Sequence, residues 1–257
     1  VRKEEPTREL VWSFGGGRQS IGILALIAKG QLPKPTHTII ADTSRESFLT
    51  WDYTQKYTIP LMKSLGMNLE IAPHTYAYRD LYSQNGQLLI PAFTQTGMFP
   101  VYCSSEWKKL VLRRYMRSIG YGPDKPVLLW LGISLDEFTR MKSSDVKWIK
   151  NHYPLCLDLQ VTRDECIAEV LSLGLPEPPK SSCWMCPNRR DVEWIEQQYE
   201  APVDHEKAII LDRMIREKDK QHSLYLHEAR KPLDQIIFNP KKVAPTYHQQ
   251  CIVECWT

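Results

Sequence analysis

The chain has 257 residues, 33 Lys and Arg against 30 Asp and Glu, and a formal net charge of +3. That length can bury a substantial core and is near the size at which one domain acquires an appendage, while so small a charge excess does not by itself mark a nucleic-acid binder. With no apolar run long enough to span a membrane and no secretory leader before the first strand, the seven cysteines are expected in a reducing cytoplasm, where metal or redox chemistry is favoured over disulfides.

Apolar, strand-like runs at 10–13, 38–41, 69–72 and 127–131 alternate with helical stretches, which predicts a parallel α/β sheet with flanking helices over residues 1–150. A cysteine-bearing segment, 151–192, is expected to lie against it, and 193–257 reads as a helical C-terminal extension. No internal repeat or low-complexity segment interrupts this order.

The first strand runs into Gly15, Gly16 and Gly17 and then into a helix expected to start near Ser20. Glycines permit positive φ and close approach of the backbone, Ser13 and Ser20 bring hydroxyls, Arg18 adds charge, and the first amides of the helix point at a bound anion. This is not a Walker loop, because no lysine precedes Ser20, and the dinucleotide pattern Gly-x-Gly-x-x-Gly fails at Ser20. A purely structural strand-to-helix turn would need the same glycines.

The second strand ends at Asp42 and Thr43, at the edge where open α/β sheets bind ligands, and either residue is suited to a nucleotide contact or to a helix N-cap. Further along, Lys108, Lys109, Arg113, Arg114 and Arg117 recur on one helical stretch with Trp107 and Tyr115. The pattern suits either a polyanion track or a solvated face. After the fourth strand, Gly132 allows close backbone approach, and Asp136 and Arg140, four apart, would share one helical face as an ion pair or leave Arg140 as a phosphate clamp.

Cys183-Trp-Met-Cys186, between Pro178-Pro179 and Pro187, is a pair suited to hold one metal centre with two thiolates. Spacing alone leaves zinc, an iron-sulfur cluster and a dithiol couple open. Cys166, Val170 and Leu173 have helical spacing, so Cys166 fits a core position as well as a ligand position, and Cys156 reads as a buried core thiol or reserve ligand. In the extension, His227 and Arg230 fit either the site or the surface.

The run Ser13-Phe14-Gly15-Gly16-Gly17-Arg18-Gln19-Ser20 resembles the pyrophosphate loop Ser-x-Ser-Gly-Gly-Lys-Asp-Ser of the N-type ATP pyrophosphatases in the PAPS reductase-like superfamily. Gly15 stands for the second serine, Arg18 for the lysine and Gln19 for the aspartate. Asp42-Thr43 is similar to the family's Asp-Thr after its second strand, and Gly132-Ile-Ser-x-Asp136-Glu-x-x-Arg140 to its later post-strand motif. Tyr102-Cys103-Ser-Ser-Glu-Trp-Lys108 resembles its Cys-x-x-x-x-Lys segment. The stretch from Tyr153 through Cys166 to Cys183 looks like the branch of phage reductase-like proteins and DNA phosphorothioation ATP pyrophosphatases.

The resemblance implies an adenine nucleotide alpha hydrolase-like fold and an ATP pyrophosphatase that adenylates a substrate for sulfur incorporation. ATP and Mg2+ would be bound by residues 13–20, Asp42, Thr43, Gly132 and Asp136, with Ser13, Arg18, Ser20 and Arg140 carrying catalysis. It further implies a 4Fe-4S cluster on Cys103, Cys166, Cys183 and Cys186, with zinc as the alternative, and DNA as sulfur acceptor. A cysteine desulfurase would be the donor, other modification-system subunits would be partners, and no membrane would be involved. Three alternatives remain: a sulfonucleotide reductase, whose Glu-Cys-Gly-x-His tail is echoed only by Glu254-Cys255; a tRNA thiolation enzyme; and a non-catalytic nucleotide- or cluster-binding subunit, which the change at Gln19 favours.

Overall fold

The computed structural model describes residues 8–219 and 223–241. Five parallel strands, β1 (Glu9–Ser13), β2 (His37–Ala41), β3 (Leu69–Ala72), β4 (Val127–Leu131) and β5 (Ile149–His152), form one sheet in the order β3-β2-β1-β4-β5. The parallel α/β architecture with flanking helices is thus as expected, with β5 added at one edge. Order reverses between β1 and β4, and ligands of open α/β sheets bind outside the carboxyl ends of strands at such a switch point.

Strand alternation divides the core. Val11, Ile39 and Leu129 face one side of the sheet, while Trp12, Ile40 and Trp130 face the other. Right-handed crossovers put α1 (Arg18–Ala28) on the Trp12 side and α4 (Leu110–Ser118) on the Val11 side. Between β2 and β3, α2 (Phe48–Tyr53) passes through a π-helical turn, Thr54–Thr58, into α3 (Ile59–Ser64). Pro60 lacks an amide and its ring crowds the preceding turn, which accounts for the local widening.

After β5 come a short helix α5 (Pro154–Leu157) and α6 (Arg163–Leu171). A capping box starts α6: Thr162 Oγ1 accepts the Glu165 amide, and Glu165 accepts the Thr162 amide at 2.7 Å. The helix packs on α1 on the Trp12 side, so this part of 151–192 shares the core of the sheet.

Two further helices, α7 (Asp191–Glu200) and α8 (Pro202–Lys218), anchor the final described segment through buried carboxylates. Asp212 accepts the amides of Leu226 and Leu233, each at 2.9 Å, and Asp191 takes His227 Nε2 at 3.2 Å and the Asn239 amide at 2.7 Å. His227 is therefore a buried tether against Phe238 rather than a group facing the strand ends, and Arg230 is exposed. Cys251, Glu254 and Cys255 lie outside the described residues. Among the described residues no helix is long and apolar enough to cross a membrane.

Candidate nucleotide site

At the carboxyl end of β1 the chain leaves Ser13, 7 % exposed, and turns through the three glycines into α1, which starts at Arg18, two residues earlier than expected. The Gly15 amide donates to Ser20 Oγ at 2.9 Å, closing the turn on the first turn of the helix. Gly16 sits at φ +70°, and a methyl group there would lie 2.7 Å from Thr50 Cγ2, so both its conformation and its surroundings require glycine. From β4, Gly132 approaches so closely that a Cβ would stand 3.4 Å from Ser20 Oγ. No side chain caps α1 at Gly17, and Ser181 packs against that start of the helix, a Cβ on Gly17 falling 3.0 Å from Ser181 Cβ. The Phe14 side chain is buried edge-on against Trp12, so it serves this site through its backbone alone.

Asp42 and Thr43 follow β2, and neither caps a helix. Asp42 Oδ1 accepts the Ser44 amide at 2.7 Å, Thr43 Oγ1 accepts the Arg45 amide at 3.3 Å, and the first amide of α2 goes instead to Asp204 Oδ2 at 2.7 Å.

Both arginines of the expected site are held by carboxylates. Arg18 donates to Glu177 at 2.7 Å and to the Pro178 carbonyl at 3.3 Å. Arg140 donates to Glu137 at 2.8 Å, and Glu137, 9 % exposed, also receives Arg163 and, at 2.9 Å, Gln19 Nε2. The shared α-helical face expected for Asp136 and Arg140, and with it their alternative role as an ion pair, does not form. Residues Leu135–Arg140 are a 3-10 helix bent at Glu137, and with about 3 residues per turn Arg140 comes over Glu137. Asp136 accepts the Arg163 amide at 2.9 Å. Burial works to raise its carboxyl, but hydrogen bonds from Ser134 and that amide hold it below the ordinary value.

Two residues absent from the expected site line the space beside the glycine turn. Glu46 and Lys108 enclose it with Ser13, Phe14, Gly15, Ile40 and Ala41, and Lys108 Nζ lies 4.0 Å from Glu46 Oε2. The Glu46 side chain is only 7 % exposed and accepts from Ser181 Oγ at 2.8 Å. Lys108 belongs to a π-helical turn, Ser105–Lys109, of a kind often found where a helix re-aims functional side chains. Its place in the Cys-x-x-x-x-Lys segment was the available sequence signal, and for Glu46 it was proximity to Asp42-Thr43.

Residues 176–184 run as a strap across this end of the sheet. Tyr53 donates to the Pro176 carbonyl at 2.7 Å, the Ser47 amide to Ser182 at 3.0 Å, and the Trp184 amide to Arg45 at 2.9 Å, while Glu46 and Cys183 form an antiparallel bridge. Cys183 and Cys186 share one turn, and Cys183 and Cys103 pack against the same apolar cluster on the Val11 side. Burial, reinforced by Glu46, pushes the Cys183 thiol up to about 12.

Cys166 is elsewhere. It is 0 % exposed, belongs to the cluster on the Trp12 side and faces Gly22 of α1, and burial pushes its thiol up to about 12. The expected set of four ligands is therefore not brought together, because the sheet separates Cys166 from the apolar cluster that holds Cys103 and Cys183. Cys156 is buried, with its thiol donating to the Ile133 carbonyl at 3.1 Å. Among the described residues no three His, Cys, Asp or Glu side chains gather as a metal site. The described cysteines as arranged do not fit a four-thiolate centre of either iron-sulfur or zinc type.

The basic stretch is engaged by neighbouring side chains and carbonyls at a half-exposed face. Lys109 and Arg113 pair with Asp145, Arg114 donates to the Tyr76 carbonyl and stacks over Tyr78, and Arg117 lies over Trp148. Trp107 is core, donating to the carbonyls of Arg79 and Asp80, and Tyr115 donates to Glu70.

No protein-family model and no curated protein matches the chain. Among solved structures it is similar to the U34-tRNA thiolase NcsA from Methanococcus maripaludis with its 4Fe-4S cluster, at 13 % identity and a TM-score of 0.45, over 98 % of this chain and 71 % of that one.

Proposed function

We propose that the chain is an ATP pyrophosphatase that adenylates a substrate for sulfur incorporation, in DNA phosphorothioation. The observation that carries the reading is the glycine turn at the β1/β4 switch point, closed by the Gly15 to Ser20 hydrogen bond and opening onto the uncapped start of α1. The turn and the first amides of α1 take the β and γ phosphates, and Lys108 supplies the cation beside them. A substrate oxygen attacks the α phosphorus, the bond to the bridging oxygen of the β phosphate breaks, and pyrophosphate leaves with the electron pair. Such catalysis rests on positioning and charge stabilisation, which rigid amides and a fixed cation provide.

Asp42 and Glu46 are the carboxylates on the loop beside the turn, and one or two carboxylates together with substrate phosphates suffice to hold magnesium, which neutralises phosphate charge. The DNA acceptor, the cysteine desulfurase donor and accompanying subunits rest on the resemblance of the loop and of the segment from Tyr153 to Cys183. The test is conversion of ATP to AMP and pyrophosphate by protein purified without oxygen, with duplex DNA, tRNA or adenylyl sulfate added. AMP formation that responds to DNA and falls on Ser20→Ala is the expected result. Stimulation by tRNA alone would overturn the DNA acceptor, sulfite release from adenylyl sulfate would make the chain a reductase, and no AMP under any condition would sink the reading.

A further inference from the structure

The strap does more than pass the nucleotide site; it covers it. Ser181 packs on the start of α1 so closely that a Cβ on Gly17 would meet its Cβ at 3.0 Å and its backbone nitrogen at 3.2 Å. The space left at the glycine turn, beside Glu46 and Lys108, is about 20 Å³. That is room for about one water and too little for a pyrophosphoryl group.

Two of the strap's ties go to residues of the site itself. Glu177 accepts from Arg18, the first residue of α1, at 2.7 Å, and Ser181 Oγ donates to Glu46 at 2.8 Å. A carboxylate of the chain therefore occupies the cation at the head of α1, the end of a helix that favours negative charge. Glu46, one of the two carboxylates suited to magnesium, is engaged by the same strap.

Its composition suits it to moving as one piece. Residues 176–182 read Pro-Glu-Pro-Pro-Lys-Ser-Ser, so three prolines stiffen the segment and, those rings aside, it has no apolar side chain to bury. Polar contacts at exposed positions hold it: Arg18 and Glu177 are 31 % and 54 % exposed, with Lys180 on Glu193 and Tyr53 on the Pro176 carbonyl as further ties. Such contacts are individually weak, which puts the strap at the low end of local stability. The two ends differ. Gly174, at φ +75° with nothing within 4 Å of its Cβ position, is an unobstructed pivot after α6, whereas buried Arg189 grips the Cys183 carbonyl at 3.2 and 3.3 Å.

We infer that the strap is an autoinhibitory cover, and that nucleotide binds only when 176–182 has swung away about Gly174, releasing Arg18 from Glu177 and Glu46 from Ser181. The inference rests on the reading of an ATP site at the glycine turn and adds how that site is regulated. Binding to an open minority state reduces the apparent affinity by the open fraction, so weakening the closed state tightens ATP binding without altering any residue that meets the nucleotide.

The experiment measures, by calorimetry, binding of Mg2+ and an ATP analogue with a methylene bridge between its α and β phosphorus atoms. It uses the full chain, Glu177→Gln, Tyr53→Phe and the double variant. In parallel, trypsin cleavage after Lys180, in the middle of the strap, is followed by mass spectrometry with and without the analogue. Glu177→Gln should bind about twofold to fivefold tighter than wild type and the double variant about tenfold tighter. Saturating analogue should speed the cut at Lys180, because cleavage tracks the open population. Melting curves establish folding; should Tyr53→Phe unfold, Glu177→Gln decides alone, since its side chain is largely solvent-exposed. Variants that bind no tighter than wild type overturn the inference. So does a strap that the analogue protects from trypsin, which would close over the nucleotide instead of excluding it. AMP formation from ATP, assayed separately, keeps the two readings apart. Tighter binding in the variants with no AMP formed keeps the cover and removes the pyrophosphatase. AMP formed by wild type with unchanged affinities in the variants removes the cover alone, and no nucleotide bound by any of these proteins removes both.

Discussion

Gly22 of α1 and Cys166 of α6 lie so close that a methyl group on Gly22 would stand 2.6 Å from Cys166 Cβ and 2.9 Å from its Sγ. This contact lets two helices on one face of the sheet meet with little between their backbones. Gly22→Ala should therefore destabilise the protein by about 1–3 kcal/mol despite alanine's higher helix propensity. Moving the bulk across, as Gly22→Ala with Cys166→Gly, should cost less than the sum of the single changes. Urea unfolding of the four proteins gives the coupling, and strict additivity would contradict the contact.

Metal content is the complementary readout for Cys166. Its thiol is enclosed by apolar groups and held protonated, so whatever metal the protein carries when purified without oxygen, Cys166→Ala should carry the same amount per chain. The expected cost is in stability alone, about 1 kcal/mol for a small buried thiol. Elemental analysis of wild type and variant checks this, and a proportional loss of iron or zinc would restore Cys166 as a ligand.

Lys108 and Arg18 make opposite predictions about the turn. Arg18 is drawn to Glu177 and the Pro178 carbonyl, whereas Lys108 lines the space at Ser13 and Gly15. Under the proposed reaction, Lys108→Gln should lower the rate of AMP formation by about 10²–10³, the range seen when one transition-state charge donor is removed. Arg18→Gln should lower it less than about tenfold. Single-turnover measurement at saturating ATP separates the two, and a larger loss at Arg18 would return the phosphate contact to the loop cation.

The legible parts of the chain were those written in local pattern. Glycines at 15–17 between an apolar strand and an apolar helix mark a turn wherever they fold, and four strands of apolar residues announce a buried parallel sheet. The fifth, Ile149–His152, sits at an edge and carries Lys150 and Asn151, so it lacks that signature. Cys166 showed core spacing with Val170 and Leu173, but which face of the sheet it met depended on α6 docking on α1. The shared face expected for Asp136 and Arg140 fails for a different reason, because α-helical spacing was applied to a segment that winds more tightly. Glu46 and Lys108 become neighbours only when the loop after β2 meets the π-turn before α4, a contact without local trace in either segment.

Glu137 gathers Gln19, Arg140 and Arg163 at the start of the segment that follows β4. Arg140 is 13 % exposed and Glu137 9 %, so removing the carboxylate leaves a guanidinium enclosed without its counter-charge. Glu137→Ala should cost about 3 kcal/mol, while Gln19→Ala, which removes one hydrogen bond from a carboxylate that keeps its arginines, should cost about 1 kcal/mol. Urea unfolding checks both, and equal small losses would mean that water replaces the network.

Glu193 ties the strap to α7, with Lys180 Nζ at 2.8 Å, the Arg190 amide at 3.0 Å and Arg190 Nε at 3.1 Å. Burial by itself works to raise this carboxyl, but Lys180 and Arg190 together hold it below the ordinary glutamate value. A carboxyl whose folded pKa is depressed adds stability that is present above its unfolded pKa of about 4.3 and is lost as pH falls through the folded value. Glu193→Gln should therefore be less stable than wild type by about 1–2 kcal/mol at pH 7, and the two should converge as the solution is acidified below pH about 4. Lys180→Ala should raise the Glu193 pKa and move the acid-unfolding midpoint upward. Urea unfolding across this pH range measures the gap, and a difference that stays constant with pH would mean that Glu193 acts through packing rather than through its charge.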